Sequence, residues 1–140
     1  MLGMAMAQEN VELVRQGFEA VNRGDRAALM RLLAPDVEWH SVAGPILGVG
    51  TIRGREAMLK FLWEDMPESI EGFRASPEEL TDLGDDRVLV VARYEGRGRS
   101  SDAEVHQRIA SVYEIRDGMA VTVRDYESRE EAVEAARLRA

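Results

Sequence analysis

A chain of 140 residues with 45% hydrophobic and 31% charged residues is long enough to bury a core of its own, and its balance is that of a globular domain rather than a disordered one. Its formal charge of -8 at pH 7 excludes a global basic footprint for nucleic acid, and the absence of cysteine excludes disulfides, thiolate nucleophiles and cysteine-based metal sites. No stretch approaches the ~20 apolar residues of a membrane span, and residues 1–7 lack the basic and apolar regions of a signal peptide, which makes a cytoplasmic location the expectation.

Residues 1–8 are expected to form a disordered tail, with Met1, Met4 and Met6 each a candidate start, ahead of a single domain over residues 9–140. Val11, Val14, Phe18 and Val21 recur at three and four residues, so residues 9–22 predict an amphipathic helix that Gly24 stops. Asp25 can cap a shorter helix with Leu29, Leu32 and Leu33 facing the core, and Pro35 ends it. Residues 36–41 alternate Val37, Trp39 and Ser41 against Glu38 and His40, a strand with the Trp side inward. Gly44, Pro45, Gly48 and Gly50 make residues 42–51 a loop, without the glycine spacing of a phosphate cradle. A third helix over residues 54–66 presents Met58, Phe61, Leu62 and Met66 to the core until Pro67 stops it, with Trp63 off that stripe.

From there the period changes to two. Residues 73–83 predict a strand interrupted near Pro77, which favours an edge or a bulge, followed by a turn at Gly84, Asp85 and Asp86. Residues 88–96 predict the next strand, and residues 96–102 a connection in which Arg97 and Arg99 read as a solvated tip. The last long hairpin spans residues 103–126 around Asp117-Gly118, because glycine takes the positive φ that such turns need. Its first arm turns Val105, Gln107, Ile109, Ser111, Tyr113 and Ile115 inward and leaves Ala110 and Val112 outward among charges, a candidate interface for a homodimer. Its second arm ends the row Val121, Val123 with Asp125, a carboxylate whose pKa desolvation would raise. Ser128 and Glu131 form a capping box for a last, alanine-rich helix over residues 128–139. Helices followed by a run of strands predict an α+β fold with an antiparallel sheet.

The stretches Glu9-Asn10-Val11, Phe18 to Asp25, Leu33 to Trp39, Gly54-Arg55-Glu56-Ala57 and Arg116-Asp117-Gly118 resemble the SnoaL-like branch of the nuclear transport factor 2-like superfamily over nearly the whole chain. The resemblance implies a cone-shaped, cystatin-like roll: a curved, mostly antiparallel sheet wrapped around N-terminal helices with a deep pocket. It leaves function open, since the superfamily hosts isomerases, polyketide cyclases, epoxide hydrolases and non-catalytic proteins. The general-base position of ketosteroid isomerase corresponds here to Ser41, and its two oxyanion-hole positions to Gly17 and to Ser111 or its neighbour, so that machinery is not carried over. The cyclases pair an acidic residue with a pocket histidine, whereas His40 and His106 fall on the outward parity, where only a bulge would turn them in. Limonene epoxide hydrolase is the nearest catalytic analogy: Arg93-Tyr94-Glu95, Val123-Arg124-Asp125-Tyr126 and Trp39-His40-Ser41 are similar to its motifs. Trp39 lacks the acceptor of its tyrosine, Glu95 is longer than its aspartate and Val123 replaces its tryptophan.

The expected chemistry is metal-free and cofactor-free acid–base catalysis on a small hydrophobic metabolite. Arg93 would bridge two carboxylates, Asp125 would be the base and protonated Glu95 the acid, which is hydrolysis of an epoxide-like substrate. Without a bound water the same base could take a proton next to a carbonyl, giving isomerisation or aldol cyclisation. Trp39, Ser41, Phe18, Gln107, Ser111 and Tyr113 are the expected substrate-binding residues. The competing reading is a non-catalytic ligand-binding or dimerisation module, with Arg93, Glu95 and Asp125 as an ion-pair network. Two histidines far apart give no metal signature.

Overall fold

The computed structural model describes residues 2–44, 46, 48 and 50–139. Two helices, α1 (Leu2–Arg23) and α2 (Arg26–Leu32), lead into β1 (Leu33–His40) and the short β2 (Thr51–Arg53). After α3 (Arg55–Lys60) come β3 (Ile70–Gly84), β4 (Arg87–Gly98), β5 (Glu104–Arg116), β6 (Met119–Tyr126) and α4 (Arg129–Leu138). The six strands form one sheet in the order β2-β1-β6-β5-β4-β3, antiparallel throughout except for the parallel β1–β6 pair. This is an α+β fold with a mixed, mostly antiparallel sheet.

The turns follow their residues. Asp117 and Gly118 both take positive φ, 54° and 73°, and pair Arg116 directly with Met119 across a two-residue hairpin. Asp85 and Asp86, at 53° and 58°, make the β3–β4 turn. β3 is the edge strand, and its pairing with β4 shifts register near Gly72, at Pro77 and near Leu83, so the proline sits where its missing N–H costs least.

Alternation sorts the sheet into two faces. Val88, Val90, Ala92 and Tyr94 of β4, Ile109 and Ile115 of β5 and Val123 of β6 join Val14 and Phe18 of α1, Leu29 of α2 and Met58 of α3 in one core. On the opposite face Leu89, Ala110 and Val112 pack against Ala132 and Ala136 of α4. The face bearing Ala110 and Val112, expected to be a bare dimer interface, is therefore covered by the chain's own C-terminal helix. Alanines at Ala132 and Ala136 let α4 approach closely. Ser128 Oγ accepts from Glu131 N at 3.1 Å to cap it, and Arg87 Nη1 donates to the carbonyl of Ala136 at 2.7 Å to hold its last turn.

Other boundaries also differ from expectation. α1 begins at Leu2, so residues 2–8, expected to be a tail, continue the helix; Ala, Met and Gln are good helix formers there. Met1 and Pro45 lie outside the described residues. Leu33 is already extended (φ -110°, ψ 134°), and Pro35 lies inside β1, where the β1–β6 register is irregular, rather than ending a helix. The residue before a proline disfavours helix, which moves the boundary upstream. The third helix changes to a π-turn at Phe61–Asp65 and a 3-10 turn at Met66–Glu68. Three-residue β2 carries too little pattern to be seen in sequence.

Candidate active site

Asp125 is placed by three neighbouring strands. On β6 it shares the inward parity of Val123, directly opposite Ser111 of β5, while Trp39 of β1 lies opposite Val123. The three inward side chains therefore converge. Trp39 Nε1 donates to Asp125 Oδ2 at 2.8 Å and Ser111 Oγ to Oδ1 at 2.7 Å. Asp125 is 8% exposed and Ser111 1%. Burial pushes the Asp125 carboxyl up to about 6, and the hydrogen bonds from Ser111 and Trp39 oppose that rise by favouring the charged form.

The carboxyl faces a cavity of about 90 Å³ between the sheet and the helices. Leu13, Val14, Gly17, Phe18 and Val21 of α1 form one wall, Leu29, Leu32, Leu33 and Met58 a second, and Trp39, Tyr94, Tyr113, Ala120, Val123 and Asp125 the sheet side; Leu62, Phe73 and Ala75 complete it. Phe18 lies against both tyrosines, at 6.3 Å from Tyr94 and 6.5 Å from Tyr113, and Phe61 meets the edge of Trp39 at 5.6 Å. Among the described residues no basic side chain lines this cavity. Burial raises the pKa of both phenols, and the charge of Asp125 adds to that, so they stay neutral hydroxyl groups. Neither hydroxyl is hydrogen-bonded to a described residue.

The expected catalytic set does not assemble. Arg93 and Glu95 alternate with Ala92 and Tyr94 on β4 and therefore point away from the cavity; they form a half-exposed ion pair at 3.7 Å. They line an open groove with Glu71, Arg74, Arg97 and His106 instead. The signal was present in the sequence: Val88, Val90, Ala92 and Tyr94 are the apolar parity, and Arg93 and Glu95 belong to the other. Tyr94, between them, lines the cavity.

Among the expected binding residues, Phe18, Trp39 and Tyr113 line the cavity and Ser111 holds Asp125. Ser41 does not reach it; its hydroxyl donates to the Gly50 carbonyl at 2.8 Å. Gln107 is buried on the inward face but serves the loop after β1: Oε1 accepts from Ile46 N at 3.2 Å and Nε2 donates toward the Ala43 carbonyl at 3.4 Å. His106 is exposed, and His40 contacts Thr51 and Glu38 at the sheet end. No group of described residues is arranged to hold a metal ion, and no described helix is long and apolar enough to cross a membrane.

With this geometry in place, comparison with known proteins is informative about family and fold. No curated protein matches the chain. An NTF2-like protein from Burkholderia xenovorans is 30% identical, with TM-score 0.69 over 91% of this chain and 95% of that one. A candidate polyketide cyclase from Xanthomonas campestris is 26% identical, with TM-score 0.68 over 90% and 95%. A protein of ketosteroid isomerase-like fold from Catenulispora acidiphila, in complex with trimethylamine, is 22% identical with TM-score 0.70 over 88% and 90%, a likeness of fold alone. The family model for the SnoaL-like domain matches residues 14–123, and the chain belongs to the SnoaL-like family within the nuclear transport factor 2-like superfamily.

Proposed function

We propose that the cavity binds a small molecule and that Asp125 transfers a proton to and from it, as the single base of a cofactor-free isomerase- or cyclase-type enzyme. One observation carries this reading: among the described residues Asp125 is the only carboxylate facing a mostly apolar cavity, and its two oxygens are held by Trp39 and Ser111. A base with a pKa near 6 is ionised at neutral pH yet retains enough basicity to take a proton, the compromise that general-base catalysis favours. In the reaction class considered, the carboxylate takes a C–H proton next to a carbonyl and the bond pair moves into the enolate. Asp125 then returns the proton at another carbon, or the enolate carbon attacks a second carbonyl, whose π pair moves to its oxygen, and Asp125 gives the proton to the resulting alkoxide. Likeness to a candidate polyketide cyclase supports the class. Cavity size limits the substrate: about 90 Å³ is less than the ~150 Å³ that takes a benzene ring, so a compact molecule fits without repacking. Epoxide hydrolysis loses its support, because Glu95 and Arg93 lie outside the cavity.

A second reading, a ligand-binding module without turnover, is favoured by the same displacement, since no second carboxyl to pair with Asp125 lines the cavity among the described residues. The deciding experiment is deuterium exchange at the α-carbon of small ketones in D2O, followed by proton NMR. The enzyme reading expects exchange that rises through about pH 6 and is lost in Asp125→Asn. Exchange at the buffer rate for every ketone that binds would leave the binding module.

A further inference from the structure

Among the described residues the cavity is lined by one full charge and no counter-charge. A carboxylate has about four lone-pair sites on its two oxygens, and Trp39 Nε1 and Ser111 Oγ occupy two of them. Among the described residues the only other ionisable groups facing it, from every element that packs around it, are the neutral phenols of Tyr94 and Tyr113. Phe18, Trp39, Tyr94 and Tyr113 surround the remaining space, with Phe73 stacked on Tyr94 at 6.1 Å. Aromatic faces carry negative potential, so rings and carboxylate act in the same sense: they attract a cation, repel an anion and leave a neutral guest with the carboxylate uncompensated. A hard metal ion is disfavoured, because calcium wants six to eight oxygen ligands and this cavity offers one carboxylate and two phenols. A weakly hydrated organic cation has no such demand.

We propose that this cavity is a site for a small protonated alkylamine, its N–H donated to Asp125 and its alkyl arms resting on the aromatic rings. In proportion to the ~150 Å³ cavity that holds the six carbons of benzene, about 90 Å³ holds about four heavy atoms. The inference rests on the cavity being a ligand site, as in the reading above, and it adds the charge of the ligand. Where ketone exchange occurs, such a cation competes with it.

The test is a titration of wild-type protein at pH 7.5 with three compact probes of similar size, the cation trimethylammonium, the neutral tert-butanol and the anion acetate, followed by NMR and calorimetry. Trimethylammonium is expected to bind roughly tenfold tighter than tert-butanol, with acetate silent, and to weaken at pH 5 as Asp125 takes up its proton. Asp125→Asn is expected to abolish the preference. Tyr94→Leu, which leaves the carboxylate in place, is expected to weaken trimethylammonium by about threefold more than tert-butanol. Equal binding of trimethylammonium and tert-butanol would overturn the inference and leave the ligand-site reading intact. If no probe binds while ketone exchange proceeds, the inference alone fails; if no probe binds and no exchange is seen, both fail.

Discussion

Replacing Asp125 with Asn isolates what it costs to hold a carboxyl in this cavity. Asn is nearly isosteric, and both hydrogen bonds can be kept: its Oδ1 accepts from Trp39 Nε1, while its Nδ2 donates to Ser111 Oγ, which as a hydroxyl can accept. Burial raises the Asp125 pKa from 3.8 to about 6, a rise of about two, and at 1.36 kcal/mol per unit the linked free energy is roughly 3 kcal/mol. The sign is set by which state keeps the proton. Below about pH 4 both folded and unfolded chains are protonated at this site and no penalty exists. Between pH 4 and 6 the unfolded chain releases its proton while the folded chain retains it, so the wild type loses stability as pH rises, and above 6 the loss is complete. Asn has no such dependence. Urea unfolding of both proteins at pH 4 and pH 7.5 is therefore expected to show the variant gaining roughly 3 kcal/mol relative to the wild type across that interval. Taking the difference cancels every other carboxylate. A difference that stays flat, or that moves against the variant as pH rises, would refute a desolvated carboxyl at this position.

Three other outcomes follow from the same geometry. Ser111→Ala and Trp39→Phe each remove a donor that favours the charged form, so the pKa of Asp125 is expected to rise further; NMR titration of its carboxyl carbon reads this, and a fall would count against the hydrogen bonds. Arg93→Ala and Glu95→Gln alter only a half-exposed pair outside the cavity and are expected to leave ligand binding unchanged, with stability within about 0.5 kcal/mol; a large loss of binding would restore them to the site. Ala132→Leu forces extra volume between α4 and Leu89, Ala110 and Val112, and about 1–3 kcal/mol of destabilisation is expected in denaturant unfolding. An unchanged midpoint would mean that α4 does not pack closely there.

Fold and turns were legible because they depend on local chemistry. The period of α1, the Asp117-Gly118 turn, the Ser128 cap and the switch to alternation after Pro67 each rest on a few adjacent residues, and they reappear in place. Asp125 was legible too, as a polar residue ending an apolar row. Arg93 and Glu95 match a catalytic motif in residue type but not in parity. Alternation along β4 alone puts Tyr94 inside and its charged neighbours outside.

Periodicity is a property of consecutive residues, so the apolar face of each element can be read from the sequence. Only tertiary structure decided what meets across those faces. Trp39 and Asp125 are 86 residues apart and become hydrogen-bonded because β1 lies parallel to β6, a pairing that no local pattern encodes. The same holds for α4: its small-residue stripe is visible in sequence, but that it covers Ala110 and Val112 follows from where the last strand releases the chain. A site built from three strands and a helix exists only once the strand order is fixed, and strand order is settled by the packing of the whole sheet.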